Sequence, residues 1–292
     1  MIKENAPLRD KTALITGATS GIGLAAATRF ALEGALVIGV GRSEARNKQA
    51  ESKIKSEIPD AKIAFLLADL GYQQQVRSLE SEILVLLKGW DVNHLDILIN
   101  NAGVYLANKR RNDKQIEMTF AVNHLAAFTL TYQLLPYLKR AQGGRVITLS
   151  SYAHRRTPIN LKRIVNPWPY IGLLAYKRSK LCNILFTSEL NRRCQDIEAF
   201  AFDPGLVNTG IASKSTPGIS DLVWRFHRRS GTTTDVPVET LLLLADRTKT
   251  DLTNGIYYRD FQPDTPSRNA LREDLACELW ELSCQLTGIN WI

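Results

Sequence analysis

Long apolar runs are missing from this sequence. The densest, LLLLA at 241–245, falls far short of the ~18–20 residues that a membrane-spanning helix needs, so no span is expected. The opening residues, MIKENAPLRDK, are polar and lack the apolar core of a secretory leader. Cysteine is scarce: Cys182, Cys194, Cys277 and Cys284 form no CxxC pair and no metal-ligand spacing. That excludes a disulfide framework and a zinc module, and it fits reduced thiols in a cytoplasmic protein. No metal site is expected. Internal repeats, low-complexity tracts and linkers are also missing, which favours one domain over residues 1–292. Acidic residues are in deficit, 29 against 37 basic, for a net charge of +8. The basic clusters are short: Lys109 to Arg111, Arg155 with Arg156, Lys162 with Arg163, and Arg225 with Arg228 and Arg229. Without a nucleic-acid module around them, solvated loops are the plain reading, and steering of an anionic cofactor or substrate is the functional one.

What the chain does have is alternation. Of 292 residues, 45% are hydrophobic, enough to bury a full core. Apolar runs at 12–16, 35–40, 62–68, 95–99, 145–149 and 198–202 read as strands, with an edge strand at 255–258. Between and after them, helices are predicted over 22–32, 43–57, 72–88, 113–138, 173–189, 236–245 and 269–286. Pro136 is expected to bend the chain or mark a tight last turn. Strands apolar on both faces belong in a parallel sheet covered on both sides. The fold class expected is therefore α/β, a single Rossmann-type doubly wound sheet of about seven strands. Two long loops interrupt the pattern, at 152–172 with Pro158, Pro167 and Pro169, and at 206–233.

The segment TGATSGIG, residues 16–23, follows the first strand and opens the first helix. There Gly17 permits a sharp turn, Gly21 lets a pyrophosphate approach the backbone, and Gly23 allows close helix–sheet packing. The helix N-terminus adds N–H donors and positive potential. A purely structural turn is the bland alternative. After the second strand, where an acidic residue would accept the 2′-hydroxyl of NAD, stands Arg42. A guanidinium there suits a 2′-phosphate, so NADP(H) is favoured over NAD(H).

The spacing G-x3-G-x-G is that of the short-chain dehydrogenase/reductase family, and the resemblance extends over nearly the whole chain. Asn101, Ala102 and Gly103, within the segment NNAG, resemble the family's support for the fourth strand beside the cofactor. Asp69 and Leu70 resemble its adenine contact, and Pro204, Gly205 and Thr209 its segment over the nicotinamide. By the same likeness Thr19, Ser20, Ile22 and Val207 are implied as further cofactor contacts. The family's catalytic tetrad maps onto Asn123, Ser151, Tyr176 and Lys180. Tyr176 and Lys180, four apart on one helix, leave from the same face; alone the pair would mean little. With the tetrad complete, the resemblance implies hydride transfer between nicotinamide C4 and a carbonyl or alcohol carbon. Tyr176 would be the proton donor and Ser151 would stabilise the alkoxide. Lys180 would hold the ribose and lower the tyrosine pKa, and Asn123 would orient a water.

Ser151 and Tyr176 are 25 positions apart, a wide spacing that resembles the retinol dehydrogenase-like branch, which includes the WW-domain oxidoreductases. His124 matches that branch, whereas Ala126 and Ala127 replace its more usual Gly-His. Apolar residues in the two loops, among them Trp168, Tyr170, Trp224 and Phe226, suit a lipophilic carbonyl/alcohol pair as substrate. Pinning the loops to the body is the bland reading. The segment 220–229 offers a weaker prospect of peripheral membrane contact, and homo-oligomers are common in the family. The competing functional class is a catalytically silent nucleotide-sensing protein on the same fold, although such proteins commonly lose the tyrosine or lysine retained here.

Overall fold

A computed structural model describes residues 6–205, 234–246, 248 and 255–291. The predicted loop at 206–233, with Val207, Thr209, Trp224 and Phe226, lies outside the described residues. Among those described, the strands are β1 (Thr12–Thr16), β2 (Leu36–Gly41), β3 (Ile63–Leu67), β4 (Ile97–Asn100), β5 (Arg145–Leu149), β6 (Glu198–Asp203), β7 (Tyr257–Arg259) and β8 (Gln262–Pro263). They form one sheet in the order β3-β2-β1-β4-β5-β6-β7-β8. Every pairing is parallel except β7 with β8. The strand order reverses between β1 and β4, which opens a crevice at their carboxyl ends. The expected doubly wound sheet is present with eight strands instead of seven. The extra one, two residues long and exposed, is too short to leave a periodicity in the sequence.

Helices α1 (Gly21–Leu32), α2 (Glu44–Glu57), α3 (Gln73–Gly89), α5 (Gly172–Arg193), α6 (Asp235–Ala245) and α7 (Glu273–Thr287) cover the sheet. Central strands are buried along their whole length, as β1, β2, β4 and β5 show, which is why they read as unbroken apolar runs. On one face Phe30, Ile54, Leu241 and Leu244 close over Ile15, Ile99, Phe200 and Phe202. The other face divides into two clusters. In one, Leu79, Ile83, Phe128, Leu134, Phe186 and Trp280 cover Leu14, Leu98 and Val146. In the other, Leu181 and Leu185 of α5 meet Leu275 and Leu279 of α7.

The helix expected over 113–138 is more complex. Residues 113–117 are not helical; Arg111 bridges Glu117 instead. The helix begins at Met118–Phe120, widens into a π-helical Ala121–Leu125, and continues as Ala126–Arg140; the three pieces together are α4. Pro136 is accommodated near its end, where one lost i→i−4 bond matters least. The buried Glu117 carboxylate caps the start, accepting from the N–H groups of Thr119 and Phe120 at 2.9 and 2.8 Å. Two short 3-10 turns, Tyr152–His154 and Leu161–Arg163, give the proline-rich 152–172 loop more order than predicted.

The turn from β1 into α1 is packed to its limit. A Cβ on Gly23 would lie 2.3 Å from the Gly17 carbonyl oxygen and 2.5 Å from Asn101 Nδ2, so backbone would have to move. Gly23→Ala should therefore displace the turn. The expected outcome is a loss of dinucleotide affinity of at least about tenfold, with about 1–3 kcal/mol of destabilisation, read by fluorescence titration and urea unfolding.

Candidate active site

Parallel pairing puts the ends of β1, β4, β5 and β6 side by side, and the glycine turn, the Asn101–Gly103 segment, Ser151 and Gly205 follow these four strands. Gly17 and Gly21 have φ of 68° and 57°, a left-handed conformation that glycine adopts without strain. Ser20 is exposed in the N-cap position of α1 and makes no side-chain cap, so its hydroxyl and the first helical N–H groups are available to an anionic ligand. Asn101 holds the turn in place: its Nδ2 donates to the Thr16 carbonyl at 2.7 Å. Thr16 Oγ1 in turn accepts from the N–H groups of Asn101 and Ala102, each at 3.0 Å.

Arg42 stands exposed just past the end of β2. A Cβ on Gly41 would lie 2.6 Å from Thr19 Cγ2, so the tip of β2 borders the glycine turn. Asp69 Oδ1 accepts from the Gly71 N–H at 2.9 Å, and Leu70 is buried beside it. Gly205, with φ of 70°, turns the chain after β6. These residues fit a dinucleotide, with the glycine turn offering bare backbone to a pyrophosphate.

The tetrad positions converge. Tyr176 and Lys180 lie on α5, buried, with the ammonium 5.7 Å from the centre of the phenol ring. Lys180 Nζ donates to the Leu149 carbonyl at 3.0 Å. Ser151 is the second residue after β5, and its side chain hydrogen-bonds that of Tyr176. The neighbouring Ser150 is oriented otherwise, its hydroxyl donating to the Lys180 carbonyl at 2.9 Å. Gly103 opposes them: a Cβ there would lie 3.5 Å from Lys180 Nζ and 3.6 Å from Asn123 Oδ1.

Asn123 sits in the π-helical turn, a local widening common at functional sites. Its amide donates to the Val104 carbonyl at 3.0 Å and to Ser179 Oγ at 2.9 Å, and its Oδ1 accepts from the Val104 N–H at 2.7 Å. Ser179 donates onward to the Tyr176 carbonyl at 2.7 Å. With both amide hydrogens engaged, one Oδ1 lone pair is left for a water.

Electrostatics depart from the expectation that Lys180 lowers the tyrosine pKa. Burial pushes Tyr176 up to about 12, the Ser151 hydrogen bond opposes this, and the Asp203 charge adds to it. Burial also brings Lys180 down to about 8, against the pull of Asp203. Desolvation of the charged form is the largest influence on both groups.

Asp203 and His154 went unnoticed in the sequence. Asp203 ends β6, buried; it accepts from the Gly205 N–H at 3.0 Å and the Tyr257 hydroxyl at 3.2 Å. Its position directly before Pro204 and Gly205 was the available signal. His154 has its tautomer set by its partners. The Ser267 N–H donates to Nε2 at 3.1 Å, so the proton is on Nδ1, which donates to the Ser151 carbonyl at 2.7 Å. Nothing in local sequence brings Ser267 to that imidazole. His124, also buried, lies 2.9 Å from Ser283 of α7 and stacks on Phe120; burial holds it near 3, hence neutral.

Comparison with known proteins gives this geometry a family. A profile described as short chain dehydrogenase matches residues 11–219. Retinol dehydrogenase 12 of Mus musculus is 33% identical over 289 residues, covering 98% of this chain and 89% of the relative. Retinol dehydrogenase 14 of Mus musculus is 31% identical, covering 97% and 87%. Dehydrogenase/reductase SDR family member 13 of Bos taurus is 32% identical, covering 98% and 75%. Among solved structures, an uncharacterised protein from Mycobacterium paratuberculosis superposes with a TM-score of 0.72 at 29% identity, covering 99% of this chain and 97% of that one. The chain belongs to the short-chain dehydrogenase/reductase family, in its retinol dehydrogenase-like branch. It is thereby an oxidoreductase fold for alcohol and carbonyl chemistry with a nicotinamide dinucleotide. No helix among the described residues is long and apolar enough to cross a membrane.

Burial lowers the His154 pKa from 6.5, and the Arg155 charge acts in the same direction against the Ser151 carbonyl and Asp264. A lowered folded-state value means its stabilisation is complete above about pH 6.5 and is lost as pH falls through the folded pKa. His154→Gln should thus cost about 1–3 kcal/mol near pH 8. The gap from wild type should narrow toward about pH 5, as measured by urea midpoints across pH.

Proposed function

We propose that this protein is an NADP(H)-dependent oxidoreductase that interconverts a lipophilic carbonyl compound and its alcohol. The observation that carries the reading is the convergence of Asn123, Ser151, Tyr176 and Lys180 beside the glycine turn, at the carboxyl ends of β4 and β5. When bound, the dinucleotide supplies the hydride at its nicotinamide C4.

The side chains supply position and a proton. In reduction, Tyr176 Oη donates its proton to the oxygen on which negative charge develops. Ser151 Oγ donates a hydrogen bond to the same oxygen, stabilising that charge where water is excluded. Lys180, tied to the Leu149 carbonyl, would hold the ribose of a bound dinucleotide with its remaining ammonium hydrogens. Its charge also favours the tyrosinate left after proton transfer. Asn123 keeps Gly103 and Val104 against α5, leaving an acceptor for the water that returns the proton. The phenol's elevated pKa keeps it protonated at neutral pH, the form that reduction consumes.

Arg42 supports the cofactor preference, since an exposed guanidinium past β2 provides fork-shaped donors for a 2′-phosphate. Tyr105, edge-on to Tyr176 at 6.2 Å between ring centres, and the apolar residues of the 152–172 loop support a lipophilic substrate. Cytoplasmic residence remains part of this reading, as does one domain over 1–292.

Tyr176→Phe should lower kcat by ~10²–10⁴-fold while leaving the dinucleotide Kd within about twofold. The panel for the assay is aldehydes, ketones, quinones and retinoids with NADPH. Turnover at wild-type rate in the variant would refute the proton-donor role. Arg42→Ala should weaken NADPH ~10–100-fold, the loss expected for charge-assisted hydrogen bonds. NADH binding should stay nearly unchanged, and calorimetric titration of both would expose any equal loss.

A further inference from the structure

The positive charge of this chain is concentrated. Residues 104–117 and 152–180 hold eleven basic side chains and two acidic ones, a surplus of nine, while the remaining 26 basic and 27 acidic residues nearly cancel. The two segments are neighbours in space. Lys109 Nζ donates to the Pro167 carbonyl at 2.8 Å, and the Tyr170 hydroxyl to the Leu106 carbonyl at 3.0 Å. The Glu117 N–H donates to the Val165 carbonyl at 2.8 Å. A Cβ on Gly172 would lie 2.2 Å from the Leu106 oxygen.

On this cationic ground stand large apolar side chains that the fold leaves in solvent. Trp168 is 79% exposed, Ile171 55% and Leu173 48%. They fall within six consecutive residues and lead directly into α5, with Leu173 one helical turn before Tyr176. Arg110, Arg111, Lys162 and Arg163, in the same two segments, are exposed as well. An exposed indole and exposed aliphatic side chains on segments with a strong basic surplus match the boundary between headgroups and acyl chains in an anionic bilayer.

Other occupants suit the surface less well. A second copy of the chain would bring the same cations face to face. A nucleic acid would meet the charges and could stack on the indole, yet it would leave Ile171 and Leu173 without an apolar partner.

We propose that this rim, from Trp168 to Leu173 with its flanking cations, docks the protein on an anionic lipid surface. The inference goes beyond the oxidoreductase reading and does not depend on it. If both hold, a lipophilic compound reaches Tyr176 from the bilayer with little passage through water.

The test is co-sedimentation of the full chain with sucrose-loaded vesicles of phosphatidylcholine alone, or with about a third phosphatidylglycerol. Wild type should sediment with the anionic vesicles only, and less as salt rises. Lys162→Ala with Arg163→Ala should weaken partition ~30-fold, the product of about fivefold per cation. Ile171→Ser with Leu173→Ser should weaken it at low and high salt alike, while circular dichroism and thermal midpoints stay near wild type because all four positions are exposed. Failure of wild type to bind anionic vesicles at low salt would overturn the proposal. So would equal binding by all variants, or retention on RNA without retention on vesicles. None of these readouts involves turnover, so they leave the catalytic reading separately testable.

Discussion

One backbone carbonyl, that of Leu149 at the end of β5, fixes the arrangement of the site. It accepts from Lys180 Nζ at 3.0 Å and from Asn183 Nδ2 at 2.8 Å. Ser150, one residue on, returns a bond to the Lys180 carbonyl. Together these set the rotation of α5 about its axis, because residues 180 and 183 share the face turned to the sheet. Rotated otherwise, Tyr176 would not meet Ser151, and Ser179 would not meet Asn123. The charge-assisted bond from Lys180 also gives a buried ammonium a partner it could not do without. Folding and chemistry thus draw on the same contact.

Burial governs the electrostatics that result. Tyr176, Lys180 and Asp203 are each shifted toward the neutral form; for Lys180 and Asp203 an opposite charge nearby recovers only part of the penalty. The dry surroundings that strengthen a hydrogen bond to a developing alkoxide also hold the groups near neutrality. Neutral His154 belongs to the same pattern, since a second proton on its ring would displace the Ser267 N–H.

Much of this was legible in sequence because it is local or periodic. Strands buried on both faces announce themselves as apolar runs. The glycine turn and Arg42 are recognisable because backbone conformation and fixed charge depend on residue type. The four tetrad positions could be named in advance, and the structure brings all four together. What escaped detection is non-local or geometric. The π-helical turn at Asn123 differs from an α-helix by one hydrogen-bond register and leaves no mark in composition. Asp203 fell just past the strand expected at 198–202 and drew no role, since its partner Tyr257 lies far along the chain. The Tyr176 pKa was expected to follow its neighbour four residues away, whereas burial, a property of the whole fold, decides it. Loop residues 152–172 were expected to lack order on account of their prolines, yet tertiary contacts induce two helical turns there.

Helix α7 packs along α5, with Leu275 and Leu279 against Leu181 and Leu185, and Ser283 against His124. The helix that carries Tyr176 and Lys180 is therefore roofed by a segment synthesised long after it. A chain emerging in order leaves that flank of α5 uncovered until α7 has been made. Assembly of the reactive centre is in this sense a proofreading of the whole polypeptide: a chain halted before α7 has every tetrad residue and lacks the cover that holds them in place.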